Sequence, residues 1–352
     1  VLAFVTFVGG CTSASEAVED GDSSEAATDS SATTGNSEVG TETVTEEDQS
    51  ASSTESEISD ESSELSETSG SDSENTQNDE DSSATGEEES DSSSDEGMMA
   101  LVQYNADAIF GDLAAIRADL DASAIEARDK GATIIVFPEG SSTGYASASE
   151  TWCLPGESMF SGLACRDVSE IAQEVPNGET IAHWSDFSQE NQIYVVYWFV
   201  ERDGDQFYNA LGVSGPDGFM TRYRKRSLYF IDEAYASAGS ESVTFATPWG
   251  KFGLMICLDG NASDFYYEEY IEAEVDGIIL SMDWDQAPVP RGPASSTFRA
   301  RAARHNLRIY AADVSPWDGT GLYLPGDVPR EREGLSEPAV GQNGISYHRL
   351  SP

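Results

Sequence analysis

The chain has 352 residues, with 65 Asp and Glu against 18 Lys and Arg, a net charge of −47 and 38 % hydrophobic residues. That balance excludes a nucleic-acid binder, because no basic patch is available to displace counterions from phosphates. The charge is unevenly spread: 28 acidic residues and no Lys or Arg fall in positions 1–97, leaving −28 on that segment and −19 on the rest.

The chain opens on the apolar run Val1 to Val8, followed by Gly9-Gly10-Cys11. This resembles the end of a bacterial lipoprotein signal peptide, where small residues precede a cysteine that is lipidated after cleavage. The run is too short to cross a bilayer. Residues 1–11 are therefore expected to be a partial signal peptide and Cys11 the lipid anchor. The protein would then be a membrane-anchored lipoprotein of the cell envelope, with its folded part outside the cytoplasm. Residues 12–97 are Ser-, Asp- and Glu-rich, with too little apolar surface to offset the entropy of ordering, and read as a disordered linker.

Residues 98–352 are enough for one large α/β domain. Ala100–Tyr104 reads as a strand. Residues 111–130 form a helix with Leu113, Ile116, Leu120, Ala124 and Ile125 at helical spacing, ended by Gly131, and Thr133–Phe137 is the next strand. Helices are expected near 166–173 and 180–190. Strands follow at 193–200, 207–214 and 218–224, with Pro216-Asp217-Gly218 as a turn. The run Gly253 to Ile256 is a buried strand that delivers Cys257 to a turn. Beyond it come a helix (264–273), a strand (277–281), a helix (294–305), a strand (307–313) and a closing strand (344–350). Strand–helix alternation of this kind marks an α/β fold.

Three strand ends carry complementary chemistry. Phe137-Pro138-Glu139 ends on a carboxylate, Arg224-Lys225-Arg226 offers an ammonium, and Ile256-Cys257-Leu258 a thiol. Hydrolysis of an amide through sulfur needs a thiolate, a proton shuttle and a group to stabilise the oxyanion. A free cysteine is mostly protonated at neutral pH, and a nearby ammonium is expected to favour its ionised form.

In this order and spacing the three motifs resemble the nitrilase, or carbon–nitrogen hydrolase, superfamily. The resemblance implies a four-layer α-β-β-α sandwich, catalytic roles for Glu139, Lys225 and Cys257, and no cofactor. It also implies a supporting role for Glu233, an oxyanion contact from the Leu258 amide, and pairing into a homodimer. The expected substrate is a small linear amide, cleaved at a non-peptide C–N bond through a thioester. Nitrile and N-carbamoyl hydrolysis are alternatives, although Leu258 stands where nitrilases proper tend to carry Trp. A different class of reading is a non-catalytic, envelope-tethered binding protein on the same fold. A cysteine protease is disfavoured, since none of His183, His305 and His348 sits in a suitable motif.

Ser281-Met282-Asp283-Trp284-Asp285 follows a strand where the superfamily lines its pocket, making Asp283 and Trp284 pocket candidates. Tyr145, just past Glu139, is another. Features near Asn306–Asp313 and Gly319–Tyr323 resemble the vanin/biotinidase-like branch. Cys153 and Cys165 are either a disulfide, which an envelope location permits, or two buried thiols. With no CxxC pair and scattered histidines, no metal site is expected.

Overall fold

The computed structural model describes residues 96–106, 111–145, 150–156, 164–284, 293–315, 317, 319–326, 328–331 and 343–350. Cys11 and residues 12–95 of the acidic linker lie outside the described residues, as does Asp285, while Gly97, assigned to the linker, opens the first strand. In chain order the elements are β1 (Gly97–Gln103), α1 (Leu113–Asp129), β2 (Ile134–Val136), β3 (Glu150–Cys153), β4 (Ala164–Asp167) and β5 (Gln173–Glu174). Then come α2 (Glu179–Asn191), β6 (Tyr194–Asp203), β7 (Gln206–Gly215), β8 (Gly218–Arg224), β9 (Thr244–Thr247) and β10 (Gly250–Ile256). The last are α3 (Asp259–Ala262), α4 (Asp264–Glu272), β11 (Gly277–Met282), α5 (Ala294–His305), β12 (Arg308–Asp313), β13 (Gly321–Tyr323) and β14 (Gly344–Leu350).

One sheet runs β14-β1-β2-β6-β7-β8, with β5 added along β6; the second runs β13-β12-β11-β10-β9. Side chains alternate between the faces of a strand, and the alternation separates two cores. Met99 and Leu101 of β1 face inward, in one cluster with Leu254, Ile256 and Ile278 of the second sheet. Ala100 and Val102 face outward against Ile116 and Leu120 of α1 and Trp184 of α2. The second sheet is covered by α4 and α5. Gly253 is one place where only glycine fits, because a Cβ there would come within 2.5 Å of the Tyr270 ring. The result is a helix–sheet–sheet–helix sandwich. Its central layer is apolar, with aliphatic and aromatic side chains, and each fully buried Leu, Ile or Val there contributes about 1.5–3 kcal/mol.

Local signals explain most boundaries. Asp112 caps α1 by accepting from the amides of Ala114 and Ala115, which satisfies donors left over at a helix start. One expected element is corrected: there is no helix over 166–173. Arg166 and Asp167 belong to β4, which runs parallel to β3, and the Cys153–Cys165 disulfide joins these two strands. A single 3-10 turn follows, Val168–Glu170, capped by the Asp167 side chain. Val168 and Ile171, spaced by three, suit that turn as well as they suit an α-helix.

Candidate active site

The three sequence-selected side chains meet at one cavity because the strands that carry them end at the same edge. Cys257 directly follows β10, Lys225 directly follows β8, and Glu139 lies three residues beyond β2. The two sheets are tied together beneath them. The Cys257 amide donates to the Ser281 carbonyl at 3.0 Å, and the Ser281 hydroxyl donates to the Phe137 carbonyl at 2.8 Å. Cys257 adopts φ +44°, a left-handed conformation that a non-glycine residue rarely takes and that collects at functional turns. Gly140, at φ +75°, lets the Tyr145 ring fold over the loop; a Cβ there would meet that ring at 2.4 Å.

Lys225, with 2 % of its surface exposed, donates to Glu139 Oε1 at 2.8 Å and to Asp232 Oδ2 at 2.6 Å. Asn209 Nδ2 donates to the same two carboxylates, at 2.6 Å and 2.8 Å. Trp198 Nε1 donates to Asn209 Oδ1 at 2.7 Å, which fixes the amide orientation so that its NH2 faces the acids. The second oxygen of Glu139 accepts from the Asp283 amide at 3.1 Å, and Asp232 also accepts from the Tyr229 amide at 2.9 Å. The thiol is far less constrained, with a 3.4 Å contact to the Asp283 carbonyl.

Electrostatics follow from this geometry. Burial acts to lower the Lys225 pKa, but the Asp232 and Glu139 carboxylates outweigh it and hold the ammonium well above the ordinary lysine range. The Cys257 thiol is pushed well up, by burial first and then by Glu139, more than Lys225 draws it down. These directions favour a protonated thiol at rest over the expected lysine–thiolate ion pair, with the ammonium bonded to two carboxylates and one of those acids beside the sulfur.

Around these groups lies a small cleft, lined also by Tyr145, Trp152, Tyr229, Tyr235 and Asp283. Tyr145 and Asp283 thus stand where the sequence suggested. Trp284 does not: it is fully buried, edge-on against Phe298 of α5 at 4.9 Å. Glu233 is exposed, and its neighbour Asp232 reaches the lysine instead, because the single 3-10 turn Asp232–Ala234 turns only one of the two acids inward. Leu258 follows the cysteine at φ −60°, ψ −27°. Asn209 and Asp232 were missed in the sequence. Asn209 left one signal, a lone amide inside the apolar strand Phe207–Ser214, since a buried polar residue in such a run needs a partner.

A double-sheet scaffold thus presents a buried thiol, an ammonium and two carboxylates to one small cleft. Residues 98–309 match the carbon-nitrogen hydrolase family, and the chain belongs to it. Among characterised relatives, a nitrilase of Pyrococcus abyssi is 33 % identical over 135 residues, covering 38 % of this chain and 46 % of that protein. The mouse omega-amidase NIT2 is 27 % identical over 202 residues, 54 % of this chain and 65 % of its own. A biotinidase of Takifugu rubripes is 26 % identical over 253 residues, 63 % and 48 %. The chain spans between about half and two thirds of these relatives. Saccharomyces cerevisiae Nit3, a nitrilase-superfamily structure, superposes with a TM-score of 0.56 at 18 % identity, over 73 % of this chain and 90 % of Nit3. That likeness concerns the fold. Among the described residues no helix is long and apolar enough to cross a membrane.

Proposed function

We propose that this chain hydrolyses the C–N bond of a small linear amide through a thioester on Cys257. The observation that carries the reading is the convergence of Glu139, Lys225 and Cys257 on one cleft from three separate strand ends. Glu139 accepts the thiol proton as sulfur attacks the carbonyl carbon, so a thiolate exists only while it reacts. The oxyanion is met by the Lys225 ammonium and the Leu258 amide. Collapse of the intermediate expels the amine, which takes the proton from Glu139. Water, deprotonated by the same carboxylate, then opens the thioester and releases the acid, and Glu139 returns that proton to the departing Cys257 sulfur. The balance is one amide and one water consumed, one carboxylic acid and one amine formed.

Asp232 and Asn209 support this cycle by keeping the lysine charged and Glu139 oriented while its proton load changes. Relatives that include a nitrilase, omega-amidases, a biotinidase and a pantetheinase favour small C–N substrates without selecting one branch. A screen of linear amides, N-carbamoyl compounds and nitriles for amine or ammonia release tests the reading. Turnover of an amide is expected, lost in Cys257→Ala and Glu139→Gln; turnover near wild type in either variant contradicts it.

The lipid anchor is proposed on the Gly9-Gly10-Cys11 motif. Cys11→Ser should free the protein from membranes, and unchanged retention would contradict anchoring. Pairing into a homodimer is proposed on the family resemblance and is checked by sedimentation; a monomer at micromolar concentration would contradict it.

A further inference from the structure

Asp259 is a carboxylate with no exposed surface, placed two residues after the nucleophile and outside the cleft lining. One of its oxygens, Oδ2, accepts from the Ile256 amide at 3.1 Å and from the Tyr223 hydroxyl at 2.8 Å. The other, Oδ1, accepts from the amides of Ser227 at 2.6 Å and Arg226 at 3.2 Å. Tyr223 and Ile256 belong to strands of two different sheets, and Arg226 and Ser227 to the loop that follows β8. Ile256 is the last residue of β10 and immediately precedes Cys257. Tyr223 lies two residues before Lys225 on β8, while Arg226 and Ser227 are the two residues after it. One side chain therefore grips the chain on both sides of the lysine and just ahead of the thiol.

We infer that Asp259 is the positioning residue that sets where the Lys225 ammonium stands relative to the Cys257 sulfur. The inference rests on the amide-hydrolase reading above and concerns a residue that never touches substrate. The alternative, a carboxylate that merely satisfies buried amides, would stabilise the fold without favouring one placement of the lysine. Two features argue for placement. The segment after Lys225 leaves the sheet at Arg226, so neighbouring strands no longer define its path, and the Asp259 bonds hold it there. The left-handed turn at Cys257 comes directly after the last β10 residue, and the Asp259 bond to the Ile256 amide joins the Cys257–Ser281 bond in fixing its entry. Charge strengthens the grip: hydrogen bonds to an ionised acceptor are about twice as strong as neutral ones.

The groups facing Asp259 are Tyr223 and Lys225 at the end of β8, Arg226 beyond it, and Tyr267 and Tyr270 of α4. Burial raises its pKa to about 6, against the opposing pull of Lys225, Tyr223 and the backbone donors. Above that pH the four donors meet a carboxylate; below it, a neutral acid with one acceptor site fewer.

Asp259→Asn in the full chain tests this, because the amide is isosteric but turns a donor toward donors. A displacement of about 1 Å in a catalytic constellation costs on the order of a hundredfold. We expect kcat to fall about a hundredfold with KM changed less than about threefold, in protein whose circular dichroism is native. The gap from wild type should narrow near pH ~5, where Asp259 is itself neutral, and open above pH ~7. A kcat within about threefold of wild type, or a gap independent of pH, overturns the inference. If the variant does not fold, Tyr223→Phe decides, since it removes one donor and adds no charge. A fall in kcat of about threefold or more with a native melting temperature supports positioning, and an unchanged kcat overturns it. Should wild type hydrolyse no amide, alkylation of Cys257 by iodoacetamide gives a readout independent of turnover. Slower alkylation by about threefold or more in the variant supports the inference, because the thiol has lost its ammonium; equal rates overturn it.

Discussion

The two halves of the site are built on opposite plans. The half contributed by the seven-stranded sheet is fully paired: Lys225, Glu139, Asp232 and Asn209 share four hydrogen bonds among themselves, and Trp198 locks the amide from behind. The half contributed by the five-stranded sheet is a thiol whose place is set by its backbone, through φ +44° and the bond to Ser281. Buried charges must be matched before any substrate arrives, or they shift their ionisation and the fold weakens. A nucleophile has the reverse requirement, because a sulfur tied into hydrogen bonds is not free to attack. Stability in this site therefore resides with the charges, and reactivity with the side chain that stabilises least.

Replacing the nucleophile should separate these two properties most sharply. Cys257→Ala is expected to lower kcat/KM by at least about a thousandfold while shifting the melting temperature by no more than a few degrees. A large loss of stability would show that the thiol is a packing element. Lys225→Met should fail on both counts, since it leaves two buried carboxylates without their cation. Unfolding in urea should reveal a loss of about 3–5 kcal/mol, together with a loss of activity of about a hundredfold or more. Stability equal to wild type would contradict the paired half.

The thiol's raised pKa makes a prediction of intermediate size. The thiolate is the reacting species, and burial and Glu139 keep the proton on sulfur. Alkylation of Cys257 should therefore rise by about tenfold per pH unit from neutrality to pH ~9 without levelling. A plateau near pH ~7 would restore the lysine–thiolate pair. Asp232→Asn against Glu233→Gln is a finer contrast. The first should lower kcat by about tenfold, because a hydrogen bond to a charged group is lost beside the lysine; the second should change it less than about twofold. Similar effects from both would erase the distinction between the buried and the exposed acid. Smallest is the expected effect of Cys153→Ser with Cys165→Ser. A loop of this length stabilises by up to about 3 kcal/mol, and the loosened Trp152 wall should raise KM a few-fold with kcat preserved.

The sequence disclosed the site unevenly, for physical reasons. Glu139 and Cys257 were legible because each follows an apolar run, where a reactive side chain has few structural reasons to be; Lys225 stands in a basic stretch and was singled out by its place in the order of the three motifs. Strand–helix alternation made an α/β fold legible, and Gly131 and the periodic face of α1 its first helix, while the four layers followed from the family resemblance. Glu233 was named where Asp232 is the acid on the lysine, since adjacent acids look alike until a 3-10 turn selects one. Trp284 was misplaced because a tryptophan after a strand end suits a pocket wall and a sheet-to-helix contact equally, and Phe298, fourteen positions on, decides between them. The surroundings of Cys257 were only partly legible for a related reason. Proximity to an ammonium was foreseeable, but that ammonium's prior commitment to two carboxylates depends on Asp232, which only the fold brings in.

The most direct measurement is of the covalent intermediate itself. An amide found to be turned over is mixed with the full chain, quenched in acid within the first turnovers, and mapped by peptide mass spectrometry. The account predicts the acyl group's mass on the peptide containing Cys257, released by neutral hydroxylamine as a thioester and absent from Cys257→Ala. Steady turnover with no acyl group on that peptide, or an adduct on another residue, would contradict it.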